Sequence, residues 1–579
     1  MEINKEITGM SIKPRINIAS VSPMAQEAAR ISEERIGEIN QGMQRAKKVF
    51  EISFIDKAIE GFVLDIDGEK ARITAGKTRE FIAGVGKLVS LLRKAMDNGG
   101  VILNVHIEDI PRYPARVNYM PSHFGNPFEC AWPGEMQRYL EDLALGGASG
   151  YGDWFDPNDM PDPYNPYVYC STSMSLWKKK KEFLRISKRL GLDNIVYVAH
   201  NVGFVDQMRP EWVGKRSHEH RVQGQVLCPS IPEARQVCLK NHDNLFRDLA
   251  ESGIEIDTVI CGPYDDGGCA CDKCQPYYPT FLSMLTDIYR VIRKYYPNIK
   301  IGICGWWTTE NELNQVINYY EGIAKNWFES FQFSATYNVF KVPEDIRKSI
   351  GSMPLSIFFH IGFSNDDRDV YIKSGIHSAP TRIKSVLNSF DKVGCKGFYS
   401  YIESYGDHFN EYICNILGRN PDADTRELAY DYCRQMYNLR GKNLDNMVDV
   451  LFEMEFLEKE KAEKWVKKLE EIEPFVKTPP YQSWAFAHVL LKARLMALDY
   501  EIEKTAKWES KEDIKPVLPL IKKRLELSEK LWREVYGLGV LRHGFIPECM
   551  MPEWYKNYIK IFPQNLGRIR PGSMLSKDA

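Results

Sequence analysis

Apolar and polar positions along this chain follow two rhythms, and their order changes twice. Near the N-terminus, Phe50–Ile55 reads as a strand. Gly61–Ile66 and Ala71–Thr74 read as a hairpin around the turn formers Asp67 and Gly68, and Val101–His106 as a further strand. Helical spacing lies between them, at Met24–Lys48 and at Thr78–Lys94, where Phe81, Val85, Leu88, Leu91 and Leu92 share a face. From about residue 113 short apolar runs alternate with helical stretches. The candidate strands are Arg116–Tyr119, Gly147–Gly150, Ile195–Ala199, Thr258–Cys261, Ile299–Cys304, Ser330–Ala335, Leu355–Phe359 and Gly397–Ile402. Leu176–Leu190, Glu233–Ser252, Thr280–Tyr295 and Glu310–Asn326 are helical segments among them. Strand–helix alternation over roughly 300 residues predicts a (β/α)8 barrel. A doubly wound open sheet is the competing fold, but no G-x-G-x-x-G follows an early strand.

Beyond about residue 431 the pattern is helical and charged, with Leu444–Leu469, Trp484–Ala506 and Val517–Tyr536 as expected helices. The expected fold class is therefore α/β. A TIM barrel (113–430) follows an N-terminal α/β domain (1–112) and precedes a helical C-terminal domain (431–579). The apolar stripe of that last domain suits a core or a homodimer face.

Composition narrows the classes. Hydrophobic content of 44% and charged content of 27% are ordinary for a globular chain, and a net charge of −2 gives no case for nucleic acid or an anionic membrane. No apolar run approaches the ~18 residues of a membrane span. The N-terminus lacks a basic stretch followed by an apolar core, so a cytoplasmic location is expected. Thirteen cysteines, an odd number, favour reduced thiols together with a metal site.

The densest chemistry lies in Val259–Cys274. A buried strand there leads into Asp265 and Asp266, then two glycines, then Cys269, Cys271 and Cys274 in C-x-C-x-x-C spacing. Tetrahedral zinc takes four ligands, and Cys228, in the loop before the preceding helix, is the natural fourth. The competing reading is buried free thiols, which suits the isolated cysteines better than three within six residues. Barrel enzymes keep their chemistry at the C-terminal ends of strands. The candidate ends here carry Asp153, Asp265, Asp266, Glu310, Asp366, Asp367, Glu403 and Asp407. Glycoside cleavage needs two carboxyl functions, one of them with a raised pKa. An Asp-Asp-Gly-Gly run is also a good turn, and Glu310 also suits a helix start. Trp306 and Trp307 follow the fifth strand, Tyr337 follows the sixth, and Tyr401 and Tyr405 flank Glu403. Such rings stack on the apolar face of a pyranose or fill space under loops. His200 and His360 end the third and seventh strands, where contacts to hydroxyls are expected.

Several of these stretches resemble known families. Residues 1–112, ending Ile107-Glu-Asp-Ile-Pro-Arg-Tyr-Pro-Ala-Arg-Val, resemble the α/β domain before the barrel in family 20 hexosaminidases and family 67 α-glucuronidases. The segment Asn410-Glu-Tyr-Ile-Cys-Asn-Ile-Leu-Gly-Arg-Asn-Pro is similar to their post-barrel helix. Cys228-Pro-Ser-Ile-Pro-Glu with Cys269, Cys271 and Cys274 is similar to the zinc-binding cysteines of family 42 β-galactosidases. That family's Asn-Glu is replaced by Asp265-Asp266, an acidic pair that resembles the one in family 20, 84 and 123 hexosaminidases.

The resemblance implies an exo-acting glycoside hydrolase that removes a terminal N-acetylhexosamine with help from the substrate's own acetamido group. Asp266 would be general acid and base, Asp265 would polarise the acetamido group, and Tyr337 would steady the oxazoline. Glu403 would complete the catalytic set. Asp153, His200, Trp306, Trp307, His360, Asp366 and Tyr401 would contact the sugar, and a structural zinc would sit on the four cysteines. The implied partner is an oligosaccharide or glycoside. The alternatives are an α-glucuronidase-like exo-glycosidase acting on an acidic sugar, and a non-catalytic carbohydrate-binding protein on a hydrolase scaffold.

Overall fold

The computed structural model describes the chain apart from residues 1–2, 7–11, 17–22, 40–47, 98–100, 123–126, 155–159, 166, 168–171, 217–224, 264–267, 307, 337–338, 341, 363–375, 403–404, 479–483, 536–545, 548–552, 563–568 and 571–579.

Eight strand–helix units make up its centre. They are β1 (Ala115–Tyr119) and α1 (Pro133–Leu145), β2 (Gly150–Trp154) and α2 (Thr172–Arg189), and β3 (Asp193–Ala199) and α3 (Pro232–Glu251). Next come β4 (Thr258–Gly262) and α4 (Tyr277–Ile292), β5 (Lys300–Cys304) and α5 (Glu310–Tyr319), and β6 (Phe328–Thr336) and α6 (Ile346–Ile350). The last two are β7 (Leu355–His360) with α7 (Pro380–Val393), and β8 (Gly397–Tyr401) with α8 (His408–Arg419). Each strand runs parallel to its neighbours, β8 pairs with β1, and the β5–β6 pairing closes the ring. The expected barrel is therefore present, because every apolar run is buried on both faces, one in the lumen and one beneath the helices.

Several boundaries differ from the sequence expectation. The second strand is Gly150–Trp154 rather than Gly147–Gly150, since Gly147 has a φ of +90° in the turn after α1. Val101–His106 is two short strands, Val101–Leu103 beside Ile3–Glu6 and Val105–Asp109 on the edge of the five-stranded N-terminal sheet. The Leu444–Leu469 pattern is two helices, Gly441–Met454 and Ala462–Ile472, separated where Leu457 turns to a φ of +54°. That break frees Glu455 to accept the Thr381 and Arg382 amides at the start of α7, so an anion caps a helix N-terminus. The hairpin at Phe62–Asp67 and Lys70–Ala75 forms as expected.

Ion pairs join the N-terminal sheet and its helix Thr78–Asp97 to the underside of the barrel. Arg419 on α8 reaches both Glu80 and Asp109 at 2.8 Å, and Arg79 reaches Asp193 at 2.9 Å. Among the described residues no helix is long and apolar enough to cross a membrane.

Candidate functional site

The lumen of the barrel is aromatic toward its C-terminal end. Tyr119 on β1 and Tyr197 on β3 stack with ring centroids 4.0 Å apart. Gly152 on the intervening β2 makes this possible. A Cβ there would come within 3.3 Å of the Tyr197 ring and 3.4 Å of Tyr119. Phe358 on β7 is fully buried against both tyrosines. Three half-buried rings lie over this floor. Trp306 meets Phe358 edge-on at 4.7 Å, Tyr401 stacks on Tyr119 at 5.5 Å, and His360 stands edge-on to Tyr401 at 5.3 Å. The expected trio of Trp306, His360 and Tyr401 therefore gathers in one place. The floor tyrosines were missed, although Tyr119 and Tyr197 lie in the strands as read; lumen position depends on strand phase, which only pairing fixes.

Two other expected contacts, Asp153 and His200, are buried and engaged within the protein. Asp153 is completely buried and faces outward from β2, because its neighbour Trp154 occupies the lumen and strand side chains alternate. Its carboxylate accepts the Ser122 amide at 2.8 Å, the Ser122 hydroxyl at 2.6 Å and the Tyr151 hydroxyl at 3.1 Å, and pairs with Lys180 of α2 at 3.4 Å. These bonds brace the loop after β1.

His200 is likewise buried. Its Nδ1 donates to the Gly262 carbonyl at 3.0 Å, so its Nε2 accepts from the Tyr277 hydroxyl. Burial pushes its pKa down to about 3, which keeps the ring neutral. Its role is to tie the end of β3 to the end of β4.

Asp407 is buried beside His377, whose Nδ1 lies 3.2 Å away. Glu310 opens α5 behind a capping box formed by Thr309 and Glu312. Asp265, Asp266, Trp307, Tyr337, Asp366 and Glu403 lie outside the described residues.

The four cysteines converge. Cys228 Sγ lies 3.7 Å from the sulfurs of Cys269, Cys271 and Cys274, and all four sulfurs fall within 4.8 Å of one another. A tetrahedron with metal–sulfur bonds of about 2.3 Å has an edge of about 3.8 Å, so the spacing fits a metal ion. Disulfides are excluded at this separation, since an S–S bond is about 2.05 Å. Hydrogen bonding from Cys274, opposed by burial and aided by backbone amides, lowers the Cys269 pKa. The Cys274 and Cys228 pKa values are raised, the first chiefly by its contact with Cys269 and the second by burial. A cation at the centre would reverse that rise. These four residues could bind a metal ion.

No family model matches the sequence, and no curated protein sequence does. Solved structures do resemble it. A GH138 enzyme targeting pectin rhamnogalacturonan II superposes with a TM-score of 0.56 at 10% identity, covering 91% of this chain and 74% of that one. CpGH84D gives 0.52 at 10% identity, over 94% and 92%. A GH20 β-N-acetylhexosaminidase from Streptomyces coelicolor A3(2) gives 0.47 at 14% identity over 74% and 91%, too slight a likeness to weigh. At such identities shared architecture is what the likeness establishes. This chain is a (β/α)8-barrel protein with added N-terminal and C-terminal structure, built like those two proteins along nearly its whole length.

Proposed function

We propose that the protein is a glycoside hydrolase acting at the C-terminal mouth of its barrel. The observation that carries the reading is the half-buried trio Trp306, His360 and Tyr401 over the Tyr119–Tyr197–Phe358 floor. Aromatic faces at strand ends suit the apolar face of a sugar ring. The architectural likeness to a GH138 enzyme and to CpGH84D agrees with it. Within this reading the substrate carries a terminal N-acetylhexosamine. Asp266 protonates the leaving oxygen and later activates water, while Asp265 polarises the acetamido group that attacks in place of a protein nucleophile. Tyr337 steadies the cyclic intermediate, Trp307 and Asp366 extend the sugar contacts, and Glu403 completes the acid set.

Zinc is the metal that four thiolates at tetrahedral spacing suit best. Bound there it would be structural, closed to substrate, and would fasten the loop after β4 to the loop after β3. The chain's own residues carry the reaction.

The test is turnover of a panel of aryl glycosides by the wild-type protein and by Asp266→Asn. General acid–base catalysis contributes about 10²–10⁴-fold, so a loss of that size on aryl N-acetylhexosaminides is expected. Undiminished turnover by the variant ends the assignment of Asp266. Turnover of aryl glucuronides alone moves the substrate to an acidic sugar.

A further inference from the structure

We infer that Asn201 assembles the four-thiol cluster from within the protein, before a metal arrives. The inference rests on reading that cluster as a metal site. Asn201 follows His200 just past the end of β3 and is completely buried. Its Nδ2 donates to the carbonyl of Leu227 at 2.8 Å and to that of Gly268 at 2.9 Å, while its Oδ1 accepts the Gly268 amide at 2.9 Å. Its own backbone carbonyl accepts the Leu227 amide at 2.8 Å. Leu227 immediately precedes Cys228, and Gly268 immediately precedes Cys269. One side chain therefore fixes the peptide before each of two cysteines that lie on different loops.

A carboxamide offers two N–H donors and an acceptor oxygen, and here both donors and the oxygen are engaged. Paired in both directions with the peptide of Gly268, it acts as a short rung of sheet and sets position as well as orientation. Gly268 meets it with a φ of +108°, a conformation that side-chain-bearing residues rarely adopt.

Around this hub Ala270 donates its amide to Lys215 across the two loops at 2.7 Å. Within each loop, Cys228 donates its amide to Trp212 at 2.8 Å and the Gln275 carboxamide donates to the Cys269 carbonyl at 2.8 Å. The Ser230 hydroxyl lies 3.0 Å from Cys228 Sγ. Bringing four thiols to tetrahedral spacing costs chain entropy and charge repulsion, and a built scaffold meets that cost in advance.

The same two residues also hold the flanks of the acidic stretch. His200 binds the carbonyl of Gly262 and Asn201 binds both polar groups of Gly268; Asp265 and Asp266 lie between those glycines in the sequence. A metal there would thus be a second fastening on flanks that the end of β3 already holds.

The experiment uses the full-length protein, stripped of metal under reducing conditions. Zinc affinity is read by competition with a chromophoric chelator. Thiol accessibility is read on the metal-free protein with a colorimetric disulfide reagent, and folding by circular dichroism. Asn201→Leu keeps the branched shape at Cγ and removes the hydrogen bonds. Gly268→Ala leaves the carboxamide in place and strains its partner, so it decides the matter if the first variant misfolds. Both are expected to weaken zinc binding about 10–100-fold, the usual effect of losing an outer partner of a metal site, and to speed thiol modification in the metal-free state. Wild-type affinity and unchanged thiol rates in the folded variants overturn the role of Asn201. A wild-type protein that takes up no zinc overturns the metal reading itself.

Discussion

Removing Lys180 or neutralising Asp153 separates a structural acid from a substrate-binding one. Both side chains are almost completely buried, and the carboxylate accepts three hydrogen bonds besides its 3.4 Å contact to the ammonium. Losing one partner of a buried ion pair costs about 3–5 kcal/mol, because the remaining charge stays desolvated. The three donors stay with Asp153 in Lys180→Met, so the lower end, about 3 kcal/mol, applies there. Asp153→Asn removes the charge that pairs with the buried Lys180 ammonium, with a similar cost.

The natural reporter is hydrogen exchange of the Ser122 amide, which ends on Asp153 Oδ1. A local destabilisation of about 3 kcal/mol speeds exchange by about 100-fold. The double variant should fall short of the sum of the single effects by about 0.5–3 kcal/mol. Turnover of an aryl glycoside should stay within about tenfold of wild type, since a residue outside the lumen does not meet the transition state. Unaltered exchange together with abolished turnover in Asp153→Asn would refute this reasoning and return Asp153 to the sugar site.

Two further outcomes follow from buried groups. His200, His408 and His488 have pKa values pushed by burial from the ordinary 6.5 down to about 3, about 4 and about 3. A base with a depressed folded pKa contributes stability that is present above pH 6.5 and lost as pH falls toward the folded value. Each therefore costs about 2 kcal/mol between pH 7.5 and pH 5. Both His488 ring nitrogens lack a hydrogen-bond partner among the described residues, so His488→Leu should resist urea better than wild type at pH 5; an unchanged pH slope would show that His488 is not buried neutral. Glu455→Ala removes the anion from the start of α7 and should cost about 1–2 kcal/mol. Faster exchange confined to the Thr381 and Arg382 amides would report it, and a slope change elsewhere would count against a local cap.

Much of the architecture was legible because the barrel strands are short apolar runs separated by helical spacing, and burial on both faces makes each run continuous. The strand ends were less legible. At β2 a shift of a few residues moved Asp153 from a supposed strand end into the strand, on its outward phase. No local signal marks that phase, because it is set by pairing with Val117 to Tyr119 on one side and Asp193 to Tyr197 on the other. The long C-terminal pattern hid its break for a similar reason. Residues 455–461 keep helical composition, and the turn at Leu457 coincides with the docking of Glu455 on a distant helix.

By itself, then, the sequence determined the strand–helix alternation, the three closely spaced cysteines and their fourth partner, and the aromatic character of the mouth. These are local signals of period, spacing and side-chain type. Tertiary structure alone decided which residues face the lumen, that Tyr119 and Tyr197 stack across Gly152, and that His200 and Asp153 are buried and bonded to neighbouring loops. It also decided that Asn201, an ordinary polar residue in the chain, joins the loops that carry the thiols. The physical reason is that hydrogen-bond partners 26 and 67 residues away are chosen by where the barrel closes, and no window of sequence contains both ends.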